Sequence, residues 1–396
     1  MTARVLVVNA GSSSLKYRVV DPASAESAAA GMVERIAQSG GRVSHTEVGG
    51  THTREVDCAD HTAAFTVLRE EFETHGPALA DLGIGAVGHR VVHGGEEFSA
   101  PVALDDDVIS AIQGLAALAP LHNPANVQGI AGAREVFAGL PHVAVFDTAF
   151  HATLPPGARE YAVPARWRQD FGVRKYGFHG TSHAYVSRRV AALLGRRPSE
   201  VNCIVLHLGN GASACAVAGG TSVDTSMGLS PTDGLVMGTR SGDLDPAVAG
   251  HLARVAGVSV EDFSDAVNTA SGLLGMTGSS DFREVMDLMD AGNEAAATAY
   301  QVVLHRLVRH VGALAAPLGR LDAVAFTAGV GENNARLRAD VLRRLSLLGL
   351  AVDEKANDSA AGEARISPPG AVAAFVVPTD EELEIARQCA ELLGWP

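Results

Sequence analysis

The chain opens with Arg4-Val-Leu-Val-Val-Asn9, an apolar, β-branched run typical of a buried strand. The small residues of Ala10-Gly-Ser-Ser-Ser14 follow as a turn, and Leu15-Lys-Tyr-Arg-Val-Val20 alternates as a returning strand. The same layout recurs half a chain later in 203–218, where the turn is predicted at 208–213. The repeat predicts two related halves, each opening with a hairpin whose turn exposes backbone N–H groups.

Strands and helices alternate along the rest of the chain, which predicts an α/β architecture. Because no low-complexity linker interrupts the pattern, we expect a compact boundary near residue 150, with domains at 1–150 and 151–380 and a final helix within 381–396 that completes the first. The predicted strands are 86–92, 143–146 and 323–327, and the predicted helices are 63–73, 106–118, 245–270, 291–317, 334–346 and 381–393.

Composition limits the classes of function. The 396 residues are 47% hydrophobic and carry a net charge of −14, so the chain can form a large core, and nucleic acid or an anionic membrane is not the expected partner. The N-terminus lacks the apolar run of a signal peptide, and the uncharged stretch 201–223 is too rich in Gly, Asn and His for a membrane helix. The four cysteines form no C-x-x-C pair. We expect free thiols and a cytoplasmic protein.

Glycine motifs exclude two common nucleotide folds. Gly83–Gly88 matches G-x-G-x-x-G, but a strand follows it where a dinucleotide-binding fold needs a helix. Gly209–Ala214 follows a strand and opens no helix, and the P-loop pattern is absent from the sequence. The hairpin turns are better interpreted as phosphate clamps, in which small residues let N–H groups approach an anion. A third turn at Gly329–Asn333, between a strand and a helix, strengthens the prediction of nucleotide binding.

Histidines, arginines and two acids occur in Gly- and Pro-rich stretches. His179 and His183 have the i, i+4 spacing of metal ligands, but no third ligand at sensible spacing accompanies them. We therefore interpret the histidines as hydrogen-bond donors that line a cleft. Arg90 and Arg240 lie in predicted fixed loops, where a guanidinium suits carboxylate or phosphoryl oxygens. Asp147 and Glu381, at element ends, are the candidate Mg²⁺ ligands.

Long stretches of the chain resemble the acetokinase family of the actin-like ATPase and sugar kinase superfamily. The resembling stretches are NAGSSSLK (9–16), GHRVVHGG (88–95), PLHNPAN (120–126), FDTAFH (146–151), YGFHGTSH (176–183), HLGNGAS (207–213), SMGLSPTDGLVMGTRSGDLDP (226–246), FTAGVGEN (326–333) and PTDEE (378–382). The resemblance implies two duplicated ribonuclease H-like domains hinged about a cleft, a homodimer, and the Mg²⁺-dependent reaction ATP + acetate ⇌ ADP + acetyl phosphate, with Mn²⁺ as an alternative ion.

The resemblance also implies roles for individual residues. Asp147, His179 and Arg240 would be catalytic, and Asn9 and Glu381 would hold the metal. The acetate would lie against Arg90, Val92, Leu121, Phe178 and Pro231, with His122 lining the same cleft. The nucleotide would contact Ser12, Lys16, His207, Leu208, Gly209, Asn210, Gly211, Asp281, Phe282, Arg283, Gly329, Val330, Gly331, Glu332 and Asn333.

Departures from the family pattern affect the nucleotide and metal regions. The 275–281 loop is one residue shorter than in many relatives, which bears on nucleotide preference, and Asp380 replaces a commoner Asn, which adds charge near the proposed metal. Thr232-Asp233 replaces the usual Leu-Glu.

Two other functions compete with acetate phosphorylation. A propionate or butyrate kinase would use the same chemistry with a larger pocket, and Val92 and Leu121 favour a small one. A nucleotide-driven switch of the actin-like type would need no anionic second substrate, whereas the arginines predict one.

Overall fold

A computed structural model describes residues 3–395, which divide into two compact units. Unit 1 comprises the described residues up to Phe150 together with those from Asp380 onward, and unit 2 comprises His151–Thr379. The C-terminal helix thus joins the unit formed by the first part of the chain.

The strands and helices of the two units alternate, as the sequence predicts. The strands are β1 (Arg4–Ala10), β2 (Ser14–Val20), β3 (Ser27–Glu34), β4 (Arg42–Glu47), β5 (Gly50–Glu55), β6 (Ile84–Val91), β7 (Val102–Ala103), β8 (His142–Phe146), β9 (Asn202–Leu208), β10 (Ala212–Ala218), β11 (Thr221–Thr225), β12 (Ala323–Thr327), β13 (Ala364–Arg365) and β14 (Ala373–Val376). The helices are α1 (His61–His75), α2 (Asp106–Gly114), α3 (Asn123–Val136), α4 (Pro156–Arg159), α5 (Ala165–Phe171), α6 (Gly180–Leu193), α7 (Ala247–Ala256), α8 (Val260–Thr269), α9 (Gly272–Thr277), α10 (Phe282–Asp290), α11 (Glu294–Ala315), α12 (Ala328–Asn333), α13 (Ala335–Arg344), α14 (Glu354–Asp358) and α15 (Glu381–Leu392).

The sheets of the two units share one core topology. In unit 1 the described strands are ordered β5-β4-β3-β2-β1-β6-β8-β7, and in unit 2 they are ordered β11-β10-β9-β12-β14-β13. In each sheet the opening strand pairs antiparallel with its hairpin partner and parallel with the strand on its other side. The segments β3-β2-β1-β6-β8 and β11-β10-β9-β12-β14 are therefore equivalent, which confirms the duplicated α/β fold predicted from the two hairpins.

Several predicted boundaries and turns are wrong in detail. The second hairpin turn is shorter than 208–213, because β9 extends to Leu208 and β10 begins at Ala212. Gly329–Asn333 is not an open turn but most of the short helix α12. Three of the seven residues of the 275–281 loop belong to α9, and the predicted helix 106–118 is α2 followed by a 3₁₀ turn at Leu115–Ala117. Short glycine-rich segments lack the periodicity that identifies a helix, so a sequence pattern reads them as loops.

Gly88, the last glycine of the 83–88 motif, has a packing role. Gly88 lies on β6 beneath α15, and a Cβ built on it would be 2.8 Å from Cys389 Sγ and 3.0 Å from Ile385 Cγ2. Contacts that short force a shift of the helix or the strand. The absence of a side chain at Gly88 thus allows α15 to lie close to the sheet.

We expect Gly88→Ala to lower the free energy of unfolding by about 1–3 kcal/mol, because the added methyl overpacks a filled interface. Chemical denaturation measures this loss, and Gly139→Ala is the matched control because a Cβ there would meet nothing within 4 Å. Cys389→Ala in the Gly88→Ala background should restore part of the loss. Equal stability of wild type and Gly88→Ala would contradict this packing argument.

Two further features bear on the sequence predictions. None of the helices in the described part of the chain has the length and apolarity needed to span a bilayer. Cys58, Cys203, Cys215 and Cys389 are free and buried, as the absence of paired spacing predicts.

Candidate functional site

The candidate residues of unit 1 lie where its parallel strands end. Asn9 is the penultimate residue of β1, and Asp147 directly follows β8. Arg90 is the penultimate residue of β6, so the fixed loop predicted for it is wrong. The three strands are adjacent and parallel, with Val8 opposite His89 and Arg90 opposite Val145. Their carboxyl ends therefore meet at one edge of the sheet, the edge at which open α/β sheets bind ligands.

Arg90 and Asp147 form a buried ion pair at this edge. Arg90 Nε lies 3.0 Å from Asp147 Oδ1, and Arg90 Nη2 lies 2.7 Å from Asp147 Oδ2. Glu381 Oε2, at the start of α15, is 3.9 Å from Arg90 Nε. Burial raises the pKa of Asp147, although Arg90 opposes this. Burial lowers the pKa of Arg90, but the charges of Asp147 and Glu381 outweigh burial and raise it.

Two asparagines in α3 hold the loop that follows Arg90, and they were not singled out from the sequence. Asn126 Oδ1 accepts from Val92 N at 3.0 Å, and Asn126 Nδ2 donates to Ala10 O at 2.8 Å. Asn123 accepts from His93 N and donates to His93 O. The quoted stretch PLHNPAN contains both asparagines. Its signal is a pair of amides beside a Pro at a helix start, which predicts capping and does not predict this long-range anchoring.

The first hairpin turn carries charges that are already paired within unit 1. Lys16 Nζ is 2.5 Å from Glu382 Oε1, while Ser12 is exposed. Asp380 caps α15 through Leu383 N and lies 2.6 Å from Arg18 Nη1. The charge that Asp380 adds beside Glu381 is therefore paired with Arg18.

Unit 2 contains a cavity of about 690 Å³ at the corresponding edge of its sheet, within the size range of small-molecule sites. The predicted nucleotide residues that line it are Leu208, Gly209, Asn210, Asp281, Phe282, Arg283, Gly329, Val330 and Asn333. His207, Gly211, Gly331 and Glu332 are not among its lining residues. Asp281 caps α10 through Arg283 N, and its carboxylate pairs with the exposed Arg283 side chain at 2.8 Å.

Most of the cavity's apolar wall could not be recognised from the sequence. The additional lining residues are Ala212, Leu235, Val236, Met237, Gly238, Leu273, Ser280, Val303, Leu307, Asn334 and Leu337. They come from the start of β10, from the long loop before α7, from α9 and the segment that follows it, from α11, and from the start of α13. Each is an ordinary strand, helix or loop residue locally, and the tertiary packing alone brings them together.

The side chains of His179 and Arg240 both lie near Gly211, in the turn between β9 and β10. A Cβ built on Gly211 would lie 3.6 Å from both His179 Nε2 and Arg240 Nη1. His179 has φ +56° at the start of α6, an uncommon backbone region for a residue with a side chain. Its ring stacks on His207, with centroids 4.2 Å apart. The two residues predicted to act on the phosphoryl group are thus neighbours.

Arg240 is a partly buried cation. Its Nη1 donates to Pro231 O at 3.0 Å and approaches Met237 Sδ at 3.6 Å. Burial lowers the pKa of Arg240, and no acidic group among the described residues contributes to that shift. A cation with this environment is suited to an anionic ligand.

The remaining predicted residues are placed as follows. Val92 directly follows β6 and is half-buried, His122 immediately precedes α3, and Leu121 is 60% exposed. In unit 2, Phe178 is buried and its carbonyl accepts from His151 Nε2 at 3.0 Å. No cluster of three or more His, Cys, Asp or Glu in residues 3–395 is arranged to hold a metal ion.

Comparison with known proteins agrees with this arrangement. The family described as "Acetokinase family" matches residues 4–387. The chain is 53% identical to the acetate kinase of Streptomyces avermitilis, over 99% of this chain and 98% of that protein. It is 49% identical to that of Deinococcus radiodurans, over 98% of each.

Solved structures agree at the level of the whole chain. The acetate kinase of Porphyromonas gingivalis matches with a TM-score of 0.93 and 40% identity, over 99% of this chain and 100% of that one. A propionate kinase from Francisella tularensis matches with a TM-score of 0.92 and 40% identity, over 98% of each. The duplicated sheets, the paired candidate residues and these full-length similarities establish that the chain belongs to the acetokinase family.

Proposed function

We propose that this protein is an acetate kinase, which reversibly transfers the γ-phosphoryl group of ATP to acetate by direct in-line displacement. The observation that carries the proposal is Arg240, a partly buried guanidinium beside His179 and close to the walls of the unit 2 cavity. Met237 and Gly238, two and three residues before Arg240, line that cavity. A nucleotide held there would have a cation and an imidazole at hand for its phosphates.

Unit 2 supplies the nucleotide site in this proposal. The apolar wall suits the adenosine, and the glycine-rich backbone at Asn210 and at Gly329 in α12 suits the phosphates. Transfer of a phosphoryl group spreads charge over its three equatorial oxygens, so donors fixed in advance lower the barrier most. We assign this role to Arg240 and His179.

Unit 1 supplies the acceptor site through Arg90. Its Nε and Nη2 are bound to Asp147, so the other edge of the guanidinium fork is the one assigned to the acetate carboxylate. Of the residues that the resemblance implies for the methyl group, Val92 and Leu121 belong to this unit, as does His122, which is implied to line the same cleft. Aliphatic carboxyl groups have a pKa near 4, so acetate needs no general base. Asp147 then acts by orienting Arg90.

The oxygen donors of unit 1 fit Mg²⁺, with Mn²⁺ as an alternative. Glu381 lies near Arg90, and the amide of Asn9 belongs to the same strand edge. Mg²⁺ prefers oxygen ligands and is commonly held by one or two carboxylates, substrate phosphates and water, so a protein-only cage is not required. When bound, the ion would neutralise charge on the transferring phosphates.

We expect trapping with hydroxylamine to give acyl hydroxamate from ATP and acetate, and to give none when EDTA removes the divalent metal. One extra methylene changes the barrier by about 1–3 kcal/mol, so propionate should react about 10- to 100-fold more slowly and butyrate more slowly still. The substitution Val92→Ala should narrow the acetate–propionate gap by enlarging the pocket.

The outcomes separate the alternatives. Faster reaction with propionate than with acetate would make the protein a propionate kinase, for which the similarity to the Francisella tularensis structure gives a precedent. ATP binding without hydroxamate from any acid would refute a carboxylate kinase and favour a nucleotide switch.

We also propose a homodimer in the cytoplasm. Large apolar side chains are exposed in unit 2, including Phe171, Val255 and Val260 at 67%, 64% and 77%. Exposed apolar surface is typical of association sites. Sedimentation equilibrium should give twice the chain mass, and a monomer at micromolar concentration would contradict this.

A further inference from the structure

Hydrogen bonds link the side chains of His183, Ser213 and His179 in that order. His179 is the imidazole assigned to the phosphoryl group. Ser213 Oγ lies 2.9 Å from His179 Nδ1 and 2.7 Å from His183 Nε2. Ser213 and His183 are both fully buried. A serine hydroxyl has one proton and two lone pairs, so at most one of the two imidazoles can accept from it and any other must donate to it.

The environment of His183 decides which group donates in each of these hydrogen bonds. Its Nδ1 is buried and has no hydrogen-bond partner among residues 3–395. Burial also holds the pKa of His183 well below the ordinary value, so the ring is neutral and carries one proton. If that proton were on Nδ1, a buried N–H would be orphaned, which is rarer in proteins than an unpaired acceptor. The proton therefore belongs on Nε2, where it is donated to Ser213 Oγ.

The direction of the hydrogen bond between Ser213 and His179 follows from this assignment. Ser213 accepts from His183 Nε2, and His179 Nδ1 is the other polar partner of its hydroxyl among the described residues. The Ser213 proton is therefore donated to His179 Nδ1, because it would otherwise be buried without an acceptor. An imidazole that accepts at Nδ1 carries its proton at Nε2. That is the His179 atom that borders the same space as Arg240 Nη1.

The neighbouring imidazole follows the same rule. Thr379 Oγ1 donates to Ser182 Oγ at 2.9 Å, and His207 Nδ1, 2.7 Å away, is the other polar partner of the buried Ser182 hydroxyl among the described residues. The Ser182 proton is therefore donated to His207 Nδ1. His207 and His179 are stacked. Both rings then have an unprotonated Nδ1 bound to serine and a protonated Nε2.

We propose that His183 and Ser213 are positioning residues that set the tautomer of His179, so that a neutral imidazole presents an Nε2–H donor beside Arg240. The value of this arrangement for the reaction rests on the proposed function, in which His179 Nε2 donates to a phosphoryl oxygen. No proton is transferred: His179 keeps its proton and acts as a fixed donor. Without these two hydrogen bonds, the His179 ring could carry its proton on Nδ1 and present the lone pair of Nε2 to the phosphate.

The direct test is long-range ¹H–¹⁵N correlation NMR on the full-length protein labelled with ¹⁵N-histidine. The substitution His179→Gln assigns the His179 signals by their loss. We expect wild-type His179 to show a protonated Nε2 and an unprotonated Nδ1, and Ser213→Ala to show a mixture of tautomers or the reverse one. Wild-type His179 protonated at Nδ1 with a bare Nε2 would overturn the proposal, whether or not the protein phosphorylates acetate.

Kinetics of paired variants provide the second test. Ser213→Ala should lower kcat about 10- to 100-fold, as loss of an orienting partner commonly does, with the KM values for ATP and acetate changed less than threefold. Ser213→Thr keeps the hydroxyl and should retain most of the activity. His183→Gln keeps an N–H near the Nε2 position and should retain the wild-type tautomer of His179, whereas His183→Leu should not.

Failure of the positioning role is distinguishable from failure of the proposed function. Equal kcat for wild type and Ser213→Ala, both active, would refute the positioning role and leave the acetate kinase assignment intact. Thermal unfolding and ATP affinity of each variant identify those that are misfolded, and the wild-type NMR result remains decisive if His183 variants do not fold.

Discussion

The substitution Arg240→Ala is expected to lower kcat by about 10²–10³-fold or more, because it removes a charged donor held in advance at the transferring phosphoryl group. This corresponds to about 2.7–4 kcal/mol of transition-state stabilisation. Arg240 is partly buried, and Pro231 O fixes its orientation. The donor therefore needs little reorganisation when charge develops. Initial rates of hydroxamate formation at saturating ATP and acetate measure kcat.

Two companion variants separate charge from geometry at this position. Arg240→Lys keeps a cation but loses the planar fork, so it should recover only part of the lost rate. Arg254→Ala, on the exposed side of α7 in the same unit, is the matched control and should leave kcat unchanged. A kcat for Arg240→Ala within tenfold of wild type would contradict the assigned role.

The substitution Arg90→Ala is expected to have two separable effects. The KM for acetate should rise about 10- to 100-fold, because a hydrogen bond to a charged group contributes about 1.5–3 kcal/mol. The free energy of unfolding should fall by about 3–5 kcal/mol, because Asp147, only 1% exposed, would lose its bidentate partner. Steady-state kinetics with acetate varied at saturating ATP and denaturant titration measure the two effects.

A double variant separates the effect of Arg90→Ala on acetate binding from its effect on the free energy of unfolding. Arg90→Ala combined with Asp147→Asn removes both charges, so most of the stability should return while the KM for acetate stays high. The KM for ATP serves as the internal control, since Arg90 belongs to unit 1 and the cavity to unit 2. If the KM for acetate of Arg90→Ala stayed within threefold of wild type, another group would have to bind the carboxylate.

The sequence alone predicted the elements with strong local signals. The runs 4–9 and 203–207 are β-branched and continuous, and both are central strands. The predicted strand 323–327 matches β12, and the helix predicted at 381–393 is α15. Gly329–Asn333 was misjudged because a six-residue helix with two glycines shows no periodicity.

The sequence also predicted which kinds of side chain form the candidate site, but it did not predict which residues those side chains contact. Arg90 and Asp147 are 57 residues apart, and Lys16 and Glu382 come from opposite ends of the chain. A local pattern carries no information about which charge faces which. Asp380 illustrates the consequence, since the negative charge that it adds is balanced by Arg18, which lies 362 residues away in sequence.

By itself, the sequence determined that this protein is a duplicated α/β chain with glycine-rich turns and cationic side chains suited to phosphates and a carboxylate, because strand patterning and turn composition are local properties. Only the tertiary structure decided that Asp147 holds Arg90, that α9 and α11 complete the wall of the unit 2 cavity, and that Ser213 lies between His179 and His183. Those features depend on burial and on contacts between residues far apart in sequence, which exist only after the strands and helices have packed.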